Sequence, residues 1–269
     1  MTKASGAYPL ARCKVIYLVR HGQATHNKAR LESPDDSVYK SEAYFDAPLT
    51  DLGWYQAQYL REHVTLTGAI KPQLVVTSPL SRCIQTAIGV FGSGKPIRSS
   101  EPTDTALMLT NVAGTHPSVS SKCCPKFMAV EWCREHLGIH PCDRRQDITT
   151  LQTQYPAVDF TDILSDQDIH WKPDTREQPQ EVRYRARGFA NWLLNQTEQK
   201  IAVVSHSGFI WEFTRLFGAD LSRQVKEELQ GGYANCEVRS VLLVDKVGIE
   251  QPFGKTDFAG CSAKYFPGQ

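Results

Sequence analysis

Two histidines stand where an α/β protein performs its chemistry. Val19-Arg20-His21-Gly22 closes one short apolar run, and Ser205-His206-Ser207-Gly208 closes another just as helical periodicity begins. In an open α/β sheet, ligands bind beyond the carboxyl ends of the strands. Glycine one or two positions after each histidine lets backbone N–H groups approach a ligand, and a following helix N-terminus favours an anion. A lone histidine is commonly a satisfied structural residue, whereas two at equivalent strand ends point to chemistry. A third run ends at Thr77-Ser78-Pro79, with Arg82 on the first turn of the helix that follows. Most arginines are solvated surface charges, but Arg20, Arg82, His21 and His206 can converge on one pocket. A planar guanidinium matches two phosphate oxygens at once, so two of them with two imidazoles suit a phosphoryl group in transfer.

Four segments carry a wider pattern: Leu18-Val-Arg-His-Gly-Gln-Ala-Thr-His-Asn27, Leu49-Thr-Asp-Leu-Gly53 with Ala57, Thr77-Ser-Pro-Leu-Ser-Arg82 with Gln85-Thr86-Ala87, and Val203-Val-Ser-His-Ser-Gly208. In this order they resemble the histidine phosphatase superfamily, in its phosphoglycerate-mutase-like branch. The segment Cys133-Arg-Glu-His-Leu-Gly-Ile-His-Pro-Cys-Asp-Arg-Arg145 is most similar to plant and fungal phosphoglycerate-mutase-like proteins. The resemblance implies that His21 attacks phosphorus to give a phosphohistidine that water hydrolyses. It also implies that Arg20, Arg82 and His206 offset charge on the equatorial oxygens, with Asn27 and Ser207 among the phosphate contacts. No metal or other cofactor is expected, because the cationic side chains occupy the electrostatic role that Mg²⁺ plays elsewhere.

A leaving alkoxide needs a proton, so the pocket should hold a carboxylic acid. Glu135 matches the spacing of the family's acid, and Glu131, four residues earlier, competes with it. Arg144 and Arg145 are expected either to touch an acidic portion of the substrate or to form structural salt bridges. A rival reading takes Cys133, His136, His140 and Cys142 as mixed zinc ligands at short spacing. The repeated Cys-x₂-Cys knuckle usual in such sites is absent.

These groups need a scaffold. Lys14–Val19, Gln73–Thr77, Lys200–Ser205 and Val238–Val244 are continuous apolar runs, the pattern of strands buried on both faces. Helices are expected over 50–63, with Leu52, Tyr55, Tyr59 and Leu60 on one face, and over 79–91, 178–199 and 209–217. The alternation predicts a three-layer α/β sandwich with a mostly parallel sheet, folded as a single domain over 1–269. The polar stretch from Gly92 to Pro125, taken as an insertion reaching about residue 130, and the loop 166–179 are where specificity is expected. Residues from about 250 to 269 read as a surface extension.

Composition agrees. Hydrophobic residues make up 41% of 269 positions, enough for a sizeable core, and a net charge of +1 supplies no field for nucleic acid or an anionic membrane. Eight cysteines, two of them adjacent at 123 and 124, read as reduced thiols. An apolar run of five near the N-terminus falls short of a signal core or membrane span, so the default compartment is the cytoplasm. The leading expectation is a hydrolase: a phosphatase of a small phosphorylated metabolite such as a sugar phosphate. A mutase is the enzymatic alternative, although family mutases carry Leu-Asn-Glu-Arg-His-Tyr-Gly and a tryptophan before the first-motif asparagine, where this chain has Cys133-Arg-Glu-His-Leu and His26. A non-catalytic phosphate-binding protein and a recruited non-phosphoryl enzyme are the other readings, and oligomeric state is left open.

Overall fold

Successive strand residues point to opposite faces, so a run that is apolar at every position needs cover on both sides. The computed structural model, which describes residues 7–33, 35–93, 105–110, 112 and 116–246, meets that need. Its strands are β1 (Cys13–Arg20), β2 (Leu74–Thr77), β3 (Ala106–Met108), β4 (Val119–Ser120), β5 (Lys126–Ala129), β6 (Val158–Asp159), β7 (Lys200–Ser205) and β8 (Val238–Val244). Its helices are α1 (Thr25–Glu32), α2 (Asp51–Thr67), α3 (Ser81–Phe91), α4 (Ile148–Gln154), α5 (Pro179–Leu194), α6 (Ser207–Thr214) and α7 (Arg223–Gln230). The main sheet runs β6-β5-β2-β7-β1-β8, parallel except for the antiparallel edge strand β8. Tyr17, Val19, Ala202 and Val204 pack with α2, α3 and α4, while Ile16, Leu18, Ile201 and Val203 pack with α5 and α6. This is the α/β sandwich that the apolar runs predict. Among the described residues no helix is long and apolar enough to cross a membrane, and Cys13, Cys83, Cys123, Cys133, Cys142 and Cys236 are free thiols.

Three expectations need correction. Lys126–Ala129 is β5, paired with β2 inside the main sheet, so the insertion cannot reach residue 130. Leu107, Met108 and Val119 also join the core, and no described residue of 92–130 lines the cleft described below. Residues 94–104, and the extension at about 250–269, lie outside the described residues. The long helix ends at Leu194 rather than at residue 199.

The buried face of α2 is also not the expected one. Leu60 is buried as expected, but Leu52, Tyr55 and Tyr59 are 48%, 65% and 67% exposed, and Gly53 and Ala57 take their place on the buried face. The reason is the closeness of its neighbours. A Cβ at Gly53 would sit 2.1 Å from the Gln23 carbonyl oxygen, and one at Gly89 of α3 would sit 2.7 Å from the Ala57 Cβ. Only small residues fit there, so the large apolar ones turn outward.

This contact fixes the sign of a substitution. At an open helix position Gly→Ala gains up to about 1 kcal/mol, but Gly53→Ala meets rigid backbone, and overpacking costs about 1–3 kcal/mol. Urea unfolding of Gly53→Ala should show a lower midpoint than the parent protein. An equal or higher midpoint would mean that the Gln23 segment yields freely.

Candidate active site

The parallel register sets Arg20 beside Ser205 and Thr77 beside Val204, so the ends of β1, β7 and β2 lie level. The His21 N–H donates to the Ser205 carbonyl (2.9 Å) and the Ser78 N–H to the Val204 carbonyl (3.1 Å), carrying the alignment one residue past the strands. A cleft of about 300 Å³ opens at this edge, with Arg20, His21 and Arg82 at its base.

Partner chemistry fixes the His21 tautomer. The Gly22 carbonyl can only accept, so Nδ1, 2.7 Å away, carries the proton. Arg82 Nε can only donate, so Nε2, 3.3 Å away, presents its lone pair. Burial first, and then the Arg82 charge, hold the His21 pKa well below its ordinary value. The result is a neutral imidazole with an unprotonated Nε2 that accepts from Arg82.

His206 lies 5.1 Å from His21 between ring centroids, yet it is fully buried and is not part of the cleft wall. Arg82 Nη2 donates to its Nδ1 (3.1 Å), which places the proton on Nε2, facing Ser78 Oγ at 2.9 Å. Burial and Arg82 also lower the His206 pKa strongly. The His206 ring backs Arg82.

Arg82 spends its other donors on the Cys142 carbonyl (2.5 Å) and on Asp143 Oδ1 (2.9 Å). Asp143 Oδ2 accepts from Arg176 Nη1 at 2.8 Å. Burial alone would raise the Asp143 pKa, but the two guanidiniums outweigh it and hold the carboxyl below its usual range. Arg20 donates through Nη1 to the Tyr233 carbonyl (2.7 Å), and its buried Nε has no hydrogen-bond partner among the described residues. Asn27 Oδ1 accepts from the Ala24 N–H (3.0 Å), so its amide nitrogen donates to His26 Nε2 (3.0 Å). The His26 proton then sits on Nδ1, and burial together with Arg82 brings its pKa down to about 3.

Glu135 lies in the cleft wall and Glu131 does not. The Glu135 carboxylate accepts from the His136 N–H (3.1 Å) and the Gly208 N–H (3.0 Å) at the start of α6. A Cβ on Gly208 would come within 2.3 Å of Glu135 Oε1, so glycine is what admits the carboxylate. Glu131 is held instead by Arg134 (2.8 Å) and Arg145 (2.7 Å).

Asn27 and Ser207 are in the cleft wall, but Arg144 and Arg145 are not. Arg145 is buried, with its fork spent on Glu131 and on the carbonyls of Ser165, Asp166, Gln167 and Gln146. Arg144 pairs with Glu42 (2.7 Å) between the rings of Phe45 and Trp171. Both take the structural salt-bridge form, because acceptors surround them outside the cleft. Of the four candidate zinc ligands, Cys133 turns into the apolar core while His136, His140 and Cys142 line the cleft. Among the described residues no group of three or more His, Cys, Asp or Glu is arranged to hold a metal.

Sequence reasoning passed over Tyr39, Asp143 and Arg176 as cleft residues. Arg176 belongs to the 166–179 loop singled out for specificity, and Asp143 is adjacent to the arginines considered. Tyr39, in a short 3₁₀ turn over Asp36–Lys40, carried no signal.

The neutral histidines make stability depend on pH. His21, His26 and His206 have folded pKa values depressed below the unfolded value, so the unfolded chain takes up protons that the folded one rejects. Their contribution is complete above about pH 7 and is lost as pH falls through about 6.5, at up to ~1.4 kcal/mol per group per pH unit. Urea unfolding should be easier by ~4 kcal/mol at pH 5.5 than at pH 7, a window above most carboxylate titration. An unchanged midpoint would contradict the buried neutral state.

Comparison with known proteins places this geometry in a family. The model of the histidine phosphatase superfamily, branch 1, matches residues 16–101 and 146–246. A phosphoglycerate mutase-like protein of Arabidopsis thaliana is 45% identical over 243 residues, covering 90% of this chain and 88% of that protein. Phosphoglycerate mutase-like protein 1 of the same plant is 43% identical over 257 residues, covering 95% and 90%. Among solved structures, the ecdysone phosphate phosphatase from Bombix mori in complex with tungstate aligns at 15% identity and TM-score 0.49, over 94% of this chain and 98% of that one. With more than half its length matched by the family model and these relatives covered almost end to end, the chain belongs to the histidine phosphatase superfamily.

Proposed function

We propose that the protein is a phosphatase that hydrolyses a small phosphomonoester metabolite through a phosphohistidine on His21. The observation that supports this reading is the unprotonated Nε2 of a neutral His21, whose lone pair accepts from Arg82 Nε while the Gly22 carbonyl holds the proton on Nδ1, with Arg20 in the same cleft. In the first step Nε2 bonds to phosphorus as the ester P–O bond breaks, and protonated Glu135 gives its proton to the leaving alkoxide. In the second, Glu135 carboxylate takes a proton from water, whose oxygen displaces Nε2 and releases phosphate. Arg20 and Arg82 stabilise charge on the non-bridging oxygens as it redistributes. His206 is a positioning residue that holds Arg82 and keeps Nη2 directed.

The relatives' names favour a second reading, a mutase, in which another hydroxyl takes the phosphoryl group in place of water. Against it stand His26 and Cys133-Arg-Glu-His-Leu where family mutases carry tryptophan and a different segment. Release of inorganic phosphate, measured with and without added acceptor alcohols, separates the two.

Because arginines supply the positive charge, treatment with a chelator should leave p-nitrophenyl phosphate hydrolysis unchanged, and His21→Ala should lower it by about 10³-fold or more. Hydrolysis that persists in His21→Ala would overturn the proposal. Glu135→Gln should slow alkyl phosphates by about 10²-fold or more while hardly affecting p-nitrophenyl phosphate, whose leaving group needs no proton. Gly208→Ala, which must displace the Glu135 carboxylate, should show the same split. Equal slowing of both substrates would remove Glu135 from the acid role.

A further inference from the structure

The parts of the cleft beyond His21 identify the alcohol that can sit there, on the basis of the phosphatase reading above. The two arginines that would meet a second acidic group, Arg144 and Arg145, are engaged elsewhere, and neither lines the cleft. The remaining outer guanidinium, Arg176, divides Nη1 among the His136 carbonyl, the Gly138 carbonyl and Asp143 Oδ2, so an internal carboxylate already matches its charge. Arg20, Arg82 and Arg176 together contribute three positive charges to the wall, and Asp143 and Glu135 two negative ones. The net charge of this wall is at most +2, with or without a proton on Glu135, and a phosphomonoester dianion already takes it up. A substrate carrying one more carboxylate leaves an uncompensated negative charge in a half-enclosed site, which is costly.

The remaining wall is equally unsuited to an anion. His136 Nδ1 lies 3.1 Å from the Glu177 carbonyl, so that N–H is already given to the protein and is not offered to a second anion. Asn27, Tyr39 and Ser207 add neutral polar groups that can pair with a hydroxyl. Tyr39 and His140 stack at 5.3 Å between centroids and add an aromatic surface without a fixed positive charge.

We infer that the cleft selects phosphomonoesters of uncharged, hydroxyl-bearing alcohols and discriminates against phosphorylated carboxylic acids. A matched pair tests this: glycerol 3-phosphate and 3-phosphoglycerate differ by a hydroxymethyl group against a carboxylate. Each is measured as a competitor of p-nitrophenyl phosphate hydrolysis by the intact chain. The inhibition constant of 3-phosphoglycerate should be at least tenfold the weaker, and His140→Lys, which adds a cation to the wall, should narrow that ratio at least threefold. Equal inhibition, stronger inhibition by the acid, or a ratio unmoved in His140→Lys would overturn the inference while the phosphatase reading stood. A parent protein that neither hydrolyses p-nitrophenyl phosphate nor forms phosphohistidine would overturn both.

Discussion

The guanidinium of Arg82 is the constraint on which the site depends. It leaves the first turn of α3, is nearly inaccessible to solvent, and touches His21 from β1, His206 from β7, and Cys142 and Asp143 from a distant loop. Burying such a charge unpaired would cost several kcal/mol, and Asp143 offsets that cost. Because an arginine can only donate, every nitrogen it addresses must be unprotonated. The two tautomers follow from that fact, and with them the unprotonated Nε2 of His21 that Arg82 holds.

The same charge explains why His21, His26 and His206 add no positive charge of their own. Desolvation disfavours imidazolium, and Arg82 repels it further. Cationic attraction for a phosphoryl group is therefore left to guanidiniums, which stay charged at any working pH. Asp143 tempers that attraction by tying Arg82 to Arg176, which joins the base of the cleft to its outer wall. A chain with a net charge of only +1 can thus gather three guanidiniums in one cleft while offering polyanions no broad surface.

Much of this was legible in the sequence because burial on both faces writes itself as unbroken apolar runs. The strands ending at His21 and His206 could be read that way, and the glycines beside them marked close backbone approach. Short strands such as Val158–Asp159 leave no such trace. On α2 the large apolar residues gave the wrong face, since close contact with Gly89 and Gln23 admits only Gly53 and Ala57. Arg145 and Glu131 could not be separated from cleft residues until their mutual pairing was visible, because an arginine or glutamate looks the same in sequence whether it waits for a ligand or is already paired. Asp143 escaped notice for a related reason: its importance comes from Arg82 and Arg176, residues far away in the chain.

The central claim is that His21 Nε2 is the phosphoryl acceptor because the Gly22 carbonyl holds the proton on Nδ1. The most direct test is to quench a single turnover in alkali, which preserves phosphohistidine, and to locate the phosphoryl group by peptide mass spectrometry and by ³¹P and ¹⁵N NMR. The account predicts a phosphoryl group on Nε2 of His21. Phosphorylation at Nδ1 or on His206, or turnover with no phosphohistidine at all, would contradict it.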